Sequence, residues 1–223
     1  MAGVEASFGY GASYMSRMVT PYGQTSFNYP SDASVSRVIE ITDPEGQRER
    51  FEFTREVNIE TLWGTETAPT GTAKGPHFKD DLNTFHWDKR AMETAVNPDG
   101  SMDYTQAVLY HWMEADDGTQ QIASSVLHSV KRPLENRDWY LYPFDPVLGN
   151  AYTVEDSSNP IAVKRFVKNE VGSTVERTTN FEYNALGRVT RSIDPTGREL
   201  EMIYETNGID LLNVRQRTGA GAN

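Results

Sequence analysis

Apolar and polar residues alternate with a period of two along most of this chain, and short turn motifs interrupt that alternation at regular intervals. The clearest case is Phe181 to Tyr204. There Leu200, Met202 and Tyr204 alternate with Glu199 and Glu201 after the turn Asp194, Pro195, Thr196, Gly197. Proline fixes the φ that the second place of a tight turn needs, aspartate accepts from the amides that follow it, and glycine tolerates positive φ. The pattern predicts a hairpin with a four-residue connection and a bulge at the glycine. Arg37 to Phe53 aligns without gaps on Arg188 to Tyr204, with Asp43, Pro44, Glu45 and Gly46 as its turn. Phe51 and Phe53 then form the predicted apolar face, and Arg50 and Glu52 the other.

The same reading extends in both directions. Ser13 to Val19 and Thr25 to Tyr29 flank Thr20, Pro21, Tyr22 and Gly23, a degenerate third copy with threonine in place of aspartate. Glu56 to Asp81 is broken by glycines and prolines and reads as a surface loop or irregular excursion. Asn83 to Asp88 is strand-like, Lys89 to Val96 is the one short helix expected, and Asn97 to Gly100 ends it with a turn. Thr105 to Glu114 reads as a central strand with both faces buried. A turn at Asp116, Asp117 and Gly118 leads to a returning strand, Ile122 to Lys131. Strands are further expected in Pro133 to Tyr142, Ala162 to Val167, Thr174 to Tyr183 and Leu211 to Arg217.

The fold class that follows is all-β: consecutive antiparallel hairpins in a curved or spiralling repeat sheet, a partial shell, because a lone ribbon would leave its apolar face in water. Residues 1–55 and 176–223 carry the repeats, and 56–175 form an irregular insertion with further hairpins. The whole is read as one continuous β-domain.

Composition narrows the partners. A net charge of −11 and scattered basic residues disfavour nucleic acid and anionic membrane surfaces. Cysteine is absent, which excludes disulfides, thiol nucleophiles and cysteine metal sites. No apolar run is long enough to span a membrane as a helix, and the first residues lack the basic and apolar regions of a signal peptide. Either export uses another route or the chain is a piece of something longer. The strand-like start and the TGAGAN end favour the second expectation.

Candidate chemistry is sparse. Asn97, Asp99, Ser101 and Asp103 alternate oxygen ligands, but the glycine is misplaced for a calcium loop and a solvated turn is the preferred reading. His77, His86, His111 and His128 lack zinc spacing, and those beside tryptophans read as packed and hydrogen-bonded. A histidine with Asp88 and a serine has no nucleophile-elbow context. Trp87, Trp112, Trp139, Tyr140 and Tyr142 read as core. Stacking of Trp112, Trp139 and Tyr140 on sugar rings is the alternative.

Tyr183, Gly187, Arg188, Val189, Asp194, Pro195, Gly197 and Tyr204 together resemble the tyrosine-aspartate (YD) repeats of the RHS family, roughly YDxxGRLxxxTDPxG and a strand ending in tyrosine. Arg37, Val38, Thr42, Asp43, Pro44, Gly46 and Phe53 match its second half, whereas Asp32 and Ser36 depart from the tyrosine and first glycine. The resemblance implies a β-ribbon that spirals into a hollow shell enclosing or displaying another polypeptide, as in RHS toxins, the C components of Tc toxins and teneurins. The chain is expected to be a non-enzymatic shell segment of a secreted or cell-surface bacterial protein. It is expected to need no cofactor or metal and to partner protein: copies or segments of the same shell, or the enclosed polypeptide. The segment that cuts toxic domains free is not matched, so no cleavage activity carries over. A carbohydrate-binding or adhesive β-domain is the alternative function, with glycan as partner only in that case.

Overall fold

In the computed structural model, the described residues are 5–11, 13–32, 36–55, 62, 64, 66–72, 80–116, 121–143 and 158–218. They form one open, antiparallel sheet whose strands follow chain order from β1 to β14. The first seven strands are β1 (Ser7–Tyr10), β2 (Met15–Thr20), β3 (Gly23–Asp32), β4 (Ser36–Thr42), β5 (Arg48–Thr54), β6 (Asn83–Trp87) and β7 (Val108–Asp116). The remainder are β8 (Gln121–Lys131), β9 (Asp138–Leu141), β10 (Ala162–Lys168), β11 (Thr174–Tyr183), β12 (Val189–Ile193), β13 (Glu199–Tyr204) and β14 (Leu211–Arg217). Each strand pairs with its neighbours in sequence, so no crossover is needed.

The expected helix over Lys89 to Val96 contracts to one 3-10 turn, Ala91–Glu93, and a second occupies Tyr104–Gln106. Local propensity yields to packing here, because this stretch covers the sheet. Met92, Ala95 and Ala107 bury against Phe85, Trp87 and Leu109. Tyr104 meets the rings of Phe85 and Trp87 edge-on at 4.7 and 5.3 Å. The turn expected at Asp117 and Gly118 lies outside the described residues, as does His77. Glu56 to Asp81 is not all surface: Pro69 is fully buried, and the Lys164 ammonium donates to the Thr70 carbonyl at 3.0 Å.

Two compact units are present: Met1–Glu66 with His77–His111 and Lys131–Leu134, and Thr67–Pro76 with Trp112–Val130 and Glu135–Asn223. Residues 56–175, read from sequence as one insertion, are thus divided between the two. The first unit holds the Phe85, Trp87 and Leu109 core. In the second, Trp139 is buried beside His128 and Arg137.

The faces of β5 are reversed from expectation. Glu52 is 8% exposed and Thr54 is also buried, whereas Phe51 and Phe53 are half-buried. Register explains this, because Glu52 stands opposite Phe85 and Arg50 opposite Trp87, on the face that residues 91–107 cover. Likewise Leu200 of β13 is 39% exposed, while Glu199 and Glu201 on the other face are half-buried.

Candidate functional site

The sequence singled out turn residues and repeat tyrosines, and the structure joins them into one recurring device. At Asp43, Asn169, Asn184 and Asp194 the chain makes the same turn. The residue's own N–H donates to the carbonyl four residues on, and its carbonyl accepts from the glycine three residues on, Gly46, Gly172, Gly187 or Gly197. All four glycines have φ between 73 and 84°, the left-handed region that closes a type I turn with a bulge.

Side chains reinforce the backbone identically. Asp43 Oδ1 accepts from the amides of Glu45 and Gln47 at 3.0 and 2.8 Å, and Asp194 Oδ1 from those of Thr196 and Arg198 at 2.8 and 3.0 Å. Asn169 accepts from Val171 and Ser173, and Asn184 from Leu186 and Arg188, in the same geometry. Aspartate and asparagine are interchangeable here because only a carboxyl or amide oxygen is required. Pro44 and Pro195 hold the second place of two of these turns. Arg188 contributes its backbone to the turn at Asn184. The third copy departs: Thr20 pairs directly with Gly23, so its loop has two residues, and Thr20 Oγ1 accepts from the Tyr22 amide at 3.2 Å.

Turns also touch turns. A β-carbon on Gly187 would lie 2.8 Å from Asn159, and one on Gly23 would lie 2.6 Å from Pro44. Asn184 donates its side-chain amide to the Gly208 carbonyl at 2.9 Å. Glycine at 187 is thus required for its φ, and a β-carbon there would also displace the Asn159 side-chain amide.

The repeat tyrosines act as clasps. Tyr204 Oη donates to the Val189 carbonyl at 3.0 Å, from late in β13 to the first residue of β12. Tyr183 reaches the Pro160 carbonyl at 2.8 Å, Tyr142 the Leu127 carbonyl at 2.6 Å, and Tyr29 the Met15 carbonyl at 3.0 Å. Burial pushes the Tyr142 and Tyr183 phenols up, so they remain donors at neutral pH. Where the aligned copy has Phe53, the hydroxyl is missing and the Arg37 guanidinium covers the ring at 5.0 Å instead.

No family model matches the chain, and no curated protein matches it.

Charged residues form the second recurring element. Glu40 stands opposite Arg50 on β4 and β5, and Arg50 Nη1 donates to Glu40 Oε1 at 2.7 Å and Nη2 to Glu52 Oε2 at 2.9 Å. Tyr104 Oη donates to Glu52 Oε1 at 2.7 Å, and burial pushes its pKa up. The Arg50 guanidinium lies 5.8 Å from the Trp87 ring. In the aligned repeat the equivalent cross-strand pair is Arg191 and Glu201, with the charges exchanged. Arg191 bonds Glu182 and Glu199 there, while Glu201 takes Arg217 at 3.1 Å. Arg165 and Asp138, cross-strand on β10 and β9, make a two-pronged pair at 2.6 and 2.7 Å. Sequence reading missed this ladder, although charges at cross-strand spacing were visible once the register was known.

The remaining candidates go to structural roles. Asp99 caps Ser101, and Asp103 caps Thr105 and binds Gln106; those hydroxyls hold both carboxyls below the usual range. Among the described residues no group of three or more His, Cys, Asp or Glu converges as metal ligands. His86 Nε2 meets Glu49 at 2.7 Å while its ring stacks on Phe51, and His111 Nδ1 meets Asn83 at 3.1 Å. Trp139 is 1% exposed, which corrects the notion of a sugar-stacking contact there. Trp139 and Tyr140 are consecutive on β9 and point to opposite faces, so with Trp112 they do not build one platform.

Proposed function

We propose that this chain is a non-enzymatic scaffold, a wall segment of a secreted or cell-surface bacterial shell protein of the YD-repeat (RHS) type, whose role is to enclose or display another polypeptide. The observation that carries the reading is the conjunction of the Asx turn and the tyrosine clasp in one unit, Tyr183 to Tyr204, with both devices recurring elsewhere in the sheet. These are the positions on which the resemblance rests, and each contributes mechanically. The turns fix register, the clasps tie each returning strand to the start of its hairpin, and the ion pairs cross between strands. Function is then mechanical. The glycan-binding alternative has less support, because its central residue, Trp139, is buried.

Protection of a passenger tests this reading. An unstructured polypeptide fused to the chain, exposed to protease, should be cut more slowly than the same polypeptide fused to an unrelated β-domain. Equal cutting rates in the two fusions would contradict enclosure.

A further inference from the structure

The two outer strands of the sheet are built differently. β1 has four residues and includes Gly9, features that blunt an edge. β14 has seven residues, contains neither proline nor glycine, and is exposed along its whole length, with one register shift against β13 at Leu212. It pairs with β13 on one side and ends the strand order on the other. Leu212 and Val214, 61% and 50% exposed, share a face with Leu200 and Met202 of β13, which makes an uncovered apolar row running to the edge. The opposite face carries Arg215 and Arg217, both anchored on Glu201.

We propose that β14 pairs antiparallel with β14 of a second copy of this chain, about a two-fold axis at Val214. The strand is self-complementary in that register. With Val214 opposite its own counterpart, Asn213 faces Arg215, and Leu212, at the bulge, lies across from Gln216, so no arginine opposes an arginine. Centring on Gln216 would set Arg215 against Arg217, a like-charge pair that destabilises antiparallel strands. The apolar row of one copy then continues into that of the other across the axis. Such an interface is closed, so it yields dimers and not filaments. The inference rests on the scaffold reading for its purpose, since it names the partner surface of that scaffold, and on the edge for its geometry.

The chain has no cysteine, so a single introduced thiol reports the register without ambiguity. Val214→Cys should form a covalent dimer under mild oxidation, because directly opposed residues in an antiparallel pair lie within disulfide reach. Leu212→Cys and Gln216→Cys should each stay uncrosslinked alone and crosslink when mixed. All three positions are exposed, and circular dichroism verifies that each variant folds. A folded Val214→Cys that stays monomeric under oxidation would overturn the proposal, as would equal crosslinking of all three variants alone. A chain that is monomeric throughout yet protects a fused passenger would sink the dimer and leave the scaffold standing. Loss of protection with crosslinking intact would do the reverse.

Discussion

Tyr204 donates its hydroxyl hydrogen to the Val189 carbonyl, 3.0 Å away, and so ties the end of one hairpin to its beginning. The aligned copy dispenses with that bond, because Phe53 replaces tyrosine and Arg37 covers its ring. Tyr204→Phe should therefore fold and lose about 1 kcal/mol, the usual net worth of one such hydrogen bond. Melting should fall by about 2–4 °C for a chain of this size. An unchanged melting temperature would mean that the clasp contributes nothing.

Gly46 isolates the cost of turn geometry. Its φ is +84°, and a β-carbon there would meet nothing within 4 Å. Gly46→Val should cost roughly 1–2 kcal/mol through backbone conformation alone. Gly187→Ala should cost more than Gly46→Ala, since Asn159 must also move. Equal melting temperatures for those two alanine variants would rule out a steric contribution from Asn159.

Acid should weaken two of the four Asx turns and spare the others. The Thr196 hydroxyl and the Arg198 guanidinium hold the Asp194 carboxyl below its ordinary value of 3.8, and the bond from Lys89 does the same for Asp43. A depressed folded-state value means stability that is present above the unfolded pKa and is lost as pH falls from about 3.8 toward the folded value. Asn169 and Asn184 make the same bonds without titrating. The double variant Asp43→Asn, Asp194→Asn should thus show a shallower loss of melting temperature on acidification than the natural chain. Parallel pH curves for the two proteins would contradict it.

Arg50 holds two carboxylates on the covered face of β5, with Glu52 buried beneath Tyr104. Arg50→Met should destabilise by on the order of 2–4 kcal/mol, because it leaves a buried carboxylate without its counter-charge. Adding Glu52→Leu should recover part of that loss. Denaturant titration of the three proteins checks both statements. A double variant less stable than the single one would show that Glu52 matters through Tyr104 alone.

Much of the hairpin order was legible because turn chemistry is local. Asp-Pro-x-Gly declares its own φ and its own caps, and the strands on either side follow from alternation. The sidedness of those strands was not legible. Phe51 and Phe53 look like the core face in sequence, yet Glu52 and Thr54 are the buried pair. The deciding fact is distant in sequence: residues 91–107 lie over Phe85 and Trp87, and register carries that burial to Glu52. The equivalence of Asn184 with Asp194 was readable in the shared spacing to glycine and arginine. It was obscured because the proline marks only one of the two.

The repeat as the unit of this sheet is tested most directly by duplicating it. A second copy of residues 184–204 inserted after Tyr204 adds two strands and preserves the alternation of strand direction. The inserted hairpin should fold, and the denaturant dependence of unfolding should steepen in proportion to the added buried surface. An insert that stays protease-sensitive, with the slope unchanged or reduced, would contradict a sheet built from repeats.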